Sequence, residues 1–83
     1  MIKIYTKNYC PYCTQAKELL KSLGAEYEEV DITSSPEVME DLVKKTGLMT
    51  VPQIFLGEKL LGGYDDIAKL NEEGKLADLI KEN

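Results

Sequence analysis

The sequence predicts an α/β fold in which a four-stranded mixed sheet is flanked by helices. Segments with the apolar alternation of strands and segments with the apolar spacing of helices take turns along the chain. A helical segment separates the first two strands, and a crossover of this kind predicts that those strands are parallel. The last two strands are separated only by Gly57 and Glu58, which predicts an antiparallel hairpin.

The first two strands and the helix between them follow from the residue pattern. Residues 2–6 alternate apolar and polar side chains and are rich in β-branched types, as strands are. From Tyr12 onward, apolar residues recur at helical spacing until Gly24, a residue type that commonly ends helices. Residues 27–32 mix apolar and acidic side chains, which predicts a second strand whose acidic residues face water.

A second helix and a hairpin are predicted next. Ser35 before Pro36 indicates a helix start, with serine as the cap and proline in the first turn. The apolar pattern of this helix ends at Gly47. Two apolar runs, residues 53–56 and 59–61, predict the third and fourth strands.

Two short helices are predicted to complete the chain, over residues 65–70 and, after Gly74, over residues 76–80. Because domains usually contain about 100 to 200 residues, we expect residues 1–83 to form one domain.

The composition argues against several classes of function. All ten basic residues are lysine, and fifteen acidic residues leave a net charge of -5, which disfavours nucleic acids and anionic membrane surfaces as partners. The chain has no histidine, so a histidine-activated serine or cysteine nucleophile is excluded. No apolar run approaches the roughly 18 residues of a membrane span, and the amino terminus does not resemble a signal peptide. We therefore expect a cytoplasmic protein, and a monomer.

The cysteine pair Cys10 and Cys13 carries the clearest chemical signal. Cys10 comes just before the first helix, where unpaired backbone N–H groups and the positive end of the helix dipole stabilise a thiolate. Lys7 adds positive charge nearby. Cys13 falls on the same helical face within reach of a disulfide, and Pro11 presets the backbone of the first turn. This arrangement predicts a redox-active pair.

Two other interpretations of the pair are weaker. A zinc site needs about four ligands, and the chain has no further cysteine and no histidine, so we expect no metal. Two inert buried cysteines would also fit the spacing. In a chain expected to be cytoplasmic, however, a pair at the start of a helix favours the redox interpretation.

Two further motifs predict binding of an extended ligand. Proline after Thr50 and Val51 allows a cis peptide bond, which would turn the Val51 backbone outward to pair with a peptide. The alternative is an ordinary trans proline at a strand edge. Gly62 and Gly63 allow close approach to the backbone, and the helix start that follows offers N–H groups to a carboxylate, although the same residues also suit a plain hairpin exit.

Taken together, these motifs resemble the glutaredoxin family over nearly the whole chain. They are residues 5–7, 10–13 (Cys-Pro-Tyr-Cys), 50–55 and 62–66, in the family's order and spacing. The resemblance implies a thioredoxin-like fold and a dithiol glutaredoxin. Such an enzyme uses glutathione as co-substrate to reduce protein disulfides and glutathione mixed disulfides. The resemblance also implies that Cys10 is the nucleophile and that Cys13 is the resolving cysteine.

The resemblance further implies a glutathione site. In the family, residues at the positions of Lys7 and Tyr12 flank glutathione, and the glycine-aspartate turn holds its γ-glutamyl end. The residue at the position of Val51 precedes a cis proline, here Pro52, and pairs with the cysteinyl backbone, so the resemblance implies that the Val51–Pro52 bond is cis. The implied glutathione-binding residues are Lys7, Tyr12, Thr50, Val51, Pro52, Gly63, Tyr64 and Asp65. This chain departs from many members by having Met49 where they carry a basic residue, and Tyr64 where they carry another cysteine.

The resemblance leaves two alternatives. Small relatives of this family donate electrons to ribonucleotide reductase and are reduced by thioredoxin reductase, although they usually lack the Pro-Tyr active loop. Other members carry an iron-sulfur cluster in a glutathione-bridged dimer, but Pro11 and Cys13 argue against that function. The expected partners are therefore glutathione, disulfide-bonded or glutathionylated proteins and, under the first alternative, ribonucleotide reductase.

Overall fold

The computed structural model describes residues 1–82, so that only Asn83 of the predicted domain lies outside the described residues. Its elements follow the predicted order. They are β1 (Ile2–Thr6), α1 (Pro11–Ser22), β2 (Tyr27–Asp31), α2 (Pro36–Thr46), β3 (Gln53–Leu56), β4 (Lys59–Gly62), α3 (Tyr64–Glu72) and α4 (Leu76–Glu82). None of the helices in this described range is long and apolar enough to cross a membrane.

The sheet is mixed, as predicted, with the strand order β2-β1-β3-β4. β1 and β2 are parallel, with Ile4 opposite Glu29. β3 is antiparallel to both of its neighbours, and Tyr5 of β1 lies opposite Gln53. Gly57 has a φ of +62°, the left-handed conformation that the tight hairpin between β3 and β4 requires.

Helices cover both faces of the sheet because apolar residues alternate along the strands. One buried cluster packs Ala16 and Leu20 of α1 and Ile67 of α3 against Ile4 and Ile54 of the sheet. On the opposite face, a second cluster is formed by the α2 residue Leu42 with Ile32 and Phe55. α1 and α3 therefore lie on one face of the sheet, and α2 lies on the other.

The helix starts match the sequence prediction, with one difference in detail. Ser35 occupies the cap position of α2, but its side chain makes no capping hydrogen bond. Pro36 in the first turn and Glu37 beside the positive helix end remain the local features that favour a start there. Gly24 follows Leu23, the cap residue at the end of α1, and has a φ of +69°, as expected of a residue that ends a helix.

Candidate active site

Cys10 lies at the amino-terminal cap of α1. Its backbone is extended (φ -108°, ψ 102°), and its Sγ accepts a hydrogen bond from the Cys13 N–H at 3.2 Å. Pro11 lies in the first turn of α1. Backbone N–H groups in the first turn have no partner within the helix, so the missing N–H of proline costs no helical hydrogen bond. The first turn contains no acidic residue. The half-exposed Cys10 sulfur therefore faces the positive end of the helix with no nearby carboxylate on that turn.

Cys13, one turn further along α1, is buried, with only 2% of its surface exposed. Burial raises the pKa of the Cys13 thiol to about 12, and its hydrogen bond with Cys10 acts in the same direction. Both cysteines are in the free thiol form. The pair thus combines an accessible sulfur at a helix end with a buried thiol that is protonated at neutral pH.

The loop before β3 lies directly beside Cys10. The Val51–Pro52 peptide bond is cis, as predicted. The Cys10 thiol donates to the Val51 carbonyl at a sulfur-oxygen distance of 3.8 Å. Within residues 1–82, the Val51 N–H donates no hydrogen bond, so it remains available to an extended ligand.

A groove of about 370 Å³ runs along this loop toward the start of α3. It brings together seven of the predicted glutathione-binding residues: Tyr12, Thr50, Val51, Pro52, Gly63, Tyr64 and Asp65. The rings of Tyr12 and Tyr64 face one another across it with centroids 6.2 Å apart. The remaining predicted residue, Lys7, lies on the other side of the active loop, where it lines a cleft with Cys10 and Cys13. The binding role of all eight residues stays a prediction.

An apolar cleft of about 490 Å³ also opens beside Lys7. α2 contributes Met39 and Val43 to its wall, and Lys44 lies at its rim. Met49, with 79% of its surface exposed, lines the same cleft. The methionine that replaces the family's usual basic residue is therefore on the surface next to Lys7, not in the core.

No group of three or more histidine, cysteine or carboxylate side chains suited to hold a metal ion occurs in the part of the chain that the structure describes.

Comparison with known proteins agrees with this geometry. A family model described as "Glutaredoxin" matches residues 2–61. The chain belongs to the glutaredoxin family. The glutaredoxin of Pseudomonas aeruginosa is 43% identical over 79 residues, covering 95% of this chain and 94% of the relative. Glutaredoxin 3 of Escherichia coli K12 is 42% identical over 80 residues, covering 96% of each chain.

Solved structures of glutaredoxins superpose closely on this chain. The buckwheat glutaredoxin-glutathione complex gives a TM-score of 0.93 at 32% identity, covering 98% of this chain and 76% of that one. The solution structure of glutaredoxin from Brucella melitensis gives 0.86 at 45% identity, covering 96% and 87%. The fold is thus thioredoxin-like, as expected. With the cysteine pair, the family and fold identify a thiol-disulfide oxidoreductase.

Two residues that shape the groove were not singled out from the sequence. Gln53 is completely buried, and its Nε2 donates to the carbonyls of Leu48 and Thr50, each at 3.0 Å. The Thr46 hydroxyl donates to Gln53 Oε1 at 3.1 Å. These bonds attach the loop that carries Thr50 and Val51 to the end of α2. A polar residue at the start of an apolar strand was the available signal.

Asp66 is the second such residue. Its Oδ2 accepts the Gly63 N–H at 2.9 Å, which closes the start of α3. Gly62 has a φ of +113°, and a Cβ there would lie 2.3 Å from Asp66 Oδ2. The close approach of this carboxylate therefore requires glycine at position 62. Because the Gly63 N–H is already bonded, the free donors at this helix start are those of the following residues.

Replacing Gln53 by Leu should destabilise the protein and loosen the groove. The change removes the two hydrogen bonds to the carbonyls of Leu48 and Thr50, and a typical intramolecular hydrogen bond contributes about 0.5 to 1.5 kcal/mol to stability. Urea denaturation measures the loss. Thr46→Ser keeps the hydroxyl and serves as the control. A Gln53→Leu variant as stable as the parent would contradict the role assigned to these bonds.

Because the pKa of Cys13 is raised, the reduced protein should lose stability in alkaline solution. The unfolded chain loses the thiol proton near the ordinary pKa of 9.0, whereas the folded chain keeps it up to about 12. As pH rises through this window, ionisation favours the unfolded state, so stability falls. Urea denaturation at pH 8 and pH 10 should show a larger decrease for the parent than for Cys13→Ser, in which the other titrations are shared. Equal decreases would refute the assignment.

Proposed function

We propose that this protein is a glutathione-dependent oxidoreductase that reduces protein disulfides and glutathione mixed disulfides. The observation that carries the proposal is the position of the Cys10 sulfur. This sulfur accepts the Cys13 N–H at the amino terminus of α1 and lies beside Val51, which lines the groove that leads to the start of α3. The complex of the buckwheat relative with glutathione supports the same ligand for this groove. A cytoplasmic location belongs to this proposal, since the cytosol maintains a reducing glutathione pool.

In the proposed mode of binding, glutathione lies extended along the groove. Its cysteinyl backbone exchanges hydrogen bonds with the N–H and carbonyl of Val51, as an added strand would. Its γ-glutamyl carboxylate accepts from the backbone N–H groups of Tyr64 and Asp65 at the start of α3, where the helix dipole favours an anion. The Asp65 carboxylate attracts the ammonium of the same end. Lys7, which lines a cleft with Cys10, pairs with the glycyl carboxylate.

The proposed reaction is a pair of thiol-disulfide exchanges. The Cys10 thiolate attacks the glutathione sulfur of a glutathionylated protein, the mixed disulfide breaks, and the protein thiolate leaves and takes up a proton. Cys10 now carries glutathione. A second glutathione thiolate attacks the glutathione sulfur of this intermediate, which releases oxidised glutathione and restores Cys10. With a protein disulfide, the Cys10 thiolate first forms a mixed disulfide with one protein sulfur and releases the other as a thiolate. Cys13 then attacks Cys10, which releases the second protein thiol and forms the Cys10–Cys13 disulfide. Two glutathiones reduce this disulfide and leave as oxidised glutathione.

Single-cysteine variants test these roles. Cys10→Ser should abolish all activity, because no other accessible sulfur occupies the helix end. Cys13→Ser should retain deglutathionylation of a glutathionylated protein and lose most reduction of an insulin disulfide. Both are measured in an assay coupled to glutathione and glutathione reductase. Activity that survives in Cys10→Ser would contradict the assignment. Turnover driven by thioredoxin reductase but not by glutathione would favour the ribonucleotide reductase alternative.

A substitution of Met49 provides a second test, which concerns the proposed position of the glycyl carboxylate of glutathione. Replacing Met49 by Arg adds a cation next to Lys7 on the open side of the apolar cleft. A partly exposed ion pair with the glycyl carboxylate contributes about 0.5 to 1 kcal/mol, so KM for glutathione should fall roughly two- to fivefold. The gain should shrink as salt is raised. Asn71→Arg adds the same charge at an exposed position of α3 outside the groove and both clefts and controls for net charge. Equal changes in the two variants would contradict this placement.

A further inference from the structure

A chain of polar contacts lies on the side of Cys13 away from the groove. Lys17 is four residues after Cys13, so the two side chains share one face of α1. The Lys17 ammonium lies 3.0 Å from Glu29 Oε2 on β2. The same oxygen accepts the hydroxyl of Thr6 at 2.7 Å, and Thr6 is buried at the end of β1. Two strands therefore hold the end of the lysine side chain in place.

Lys17 and Glu29 line one cleft together with both cysteines. The cleft has a volume of about 560 Å³, and Cys10, Cys13, Lys17 and Glu29 all contribute to its wall. Lys17 has 29% of its side chain exposed, so its charge is partly withdrawn from solvent. The hydrogen bond to Glu29 raises the pKa of Lys17, and the Thr6 hydroxyl, with Lys17, holds the pKa of Glu29 below its usual range. Both groups are thus charged at neutral pH.

We propose that the Lys17 ammonium, positioned by Glu29 and Thr6, stabilises the Cys13 thiolate that forms when the active-site disulfide closes. The proposal rests on the proposed function, and it makes Lys17 specific to the reaction that uses both cysteines. Deglutathionylation by Cys10 and a second glutathione does not require this charge.

The step is an internal exchange. The Cys13 thiol loses its proton to water in the cleft, and the thiolate attacks the Cys10 sulfur that is bound to glutathione. The Cys10–Cys13 bond forms, the bond from Cys10 to glutathione breaks, and glutathione leaves as a thiolate that takes up a proton. Oxidised glutathione, used as the substrate in the test below, supplies the disulfide that is consumed.

The field at Cys13 has contributions from every element packed around it. Burial and the hydrogen bond with Cys10 raise the pKa of Cys13, whereas a backbone hydrogen bond from Lys7 and, to a smaller extent, the positive charge of Lys17 lower it. Other titratable or charged groups lining the cleft are Lys7, Tyr9 and Cys10 from the active loop, with Glu29 and Asp31 from β2. Tyr27 acts on Lys17 from the start of β2. Of the two lysines there, Lys17 is the one on the helical face of Cys13 and the one held by an ion pair.

Mixing reduced protein with excess oxidised glutathione separates the two steps. Cys10 first forms the mixed disulfide at a rate that rises with the concentration of oxidised glutathione. Closure by Cys13 then proceeds at a rate that does not depend on that concentration. Acid quenching followed by mass spectrometry distinguishes the reduced, glutathionylated and internally oxidised forms. The closure rate should increase as pH rises from 6 to 9, because burial disfavours the Cys13 thiolate and only the thiolate attacks.

Lys17→Met should slow closure about three- to tenfold at each pH, the size expected for one partly screened charge. Formation of the mixed disulfide should be unchanged. Lys17→Arg should close within about twofold of the parent, because it keeps a cation that pairs with Glu29. Lys21→Met, one turn further along α1 at an exposed position outside the cleft, is the matched control and should behave as the parent.

Each outcome has a separate meaning. Closure that is unchanged in Lys17→Met, or slowed equally in Lys21→Met, would overturn the role of Lys17 while leaving the proposed function intact. Slow closure in Lys17→Arg as well would show that the side chain acts through packing and not through charge, and would also overturn it. If the parent formed no mixed disulfide with oxidised glutathione, the proposed function itself would fail.

Discussion

The antiparallel pairing of β3 with both of its neighbours is the constraint on which the site depends. Because β3 runs opposite to β1 and β4, its first residues lie at the same end of the sheet as the last residues of those strands. The segment after β1 carries Cys10, the segment before β3 carries Val51, and the segment after β4 carries Gly63. Three loops that are separate in sequence therefore meet at one end of the sheet. The pairs Tyr5–Gln53 and Ile54–Gly62 fix their relative positions.

The difference between the two thiols has the same structural origin as the packing of α1. Cys13, Ala16 and Leu20 are the buried residues of this helix, at spacings of three and four. Cys13 is therefore the first member of the helix face that packs onto the sheet. Cys10 lies one turn earlier, where no helix precedes it and the backbone N–H groups point toward its sulfur. One helix thus carries both an accessible sulfur and a protected second thiol.

The sequence predicted the elements whose signals are local, and it predicted less of what depends on distant contacts. The strands, the helix starts and the cysteine pair at the cap follow from short patterns, and so does the tight turn at Gly57. The cis bond before Pro52 was anticipated from the motif that surrounds it. The bonds from Gln53 to Leu48 and Thr50 were not, because they depend on how the end of α2 meets β3. Glu29 was expected only to face water; it is exposed, but its carboxylate also bonds Thr6 and Lys17, 23 and 12 residues away.

Net charge and local charge lead to different conclusions in this protein. A net charge of -5 argues against polyanions as partners, because a polyanion contacts a large part of the surface and is repelled by its overall negative charge. A tripeptide anion responds to a much smaller region, since exposed charges are screened beyond about 8 to 10 Å at ordinary salt. Around the cysteines that region contains the cations Lys7 and Lys17 and the carboxylates Glu29 and Asp31. These side-chain charges balance in number, so the positive end of α1 provides the net attraction at Cys10. The acidic surface and an anionic co-substrate are therefore compatible, because attraction is set by the few groups within one screening length of the sulfur.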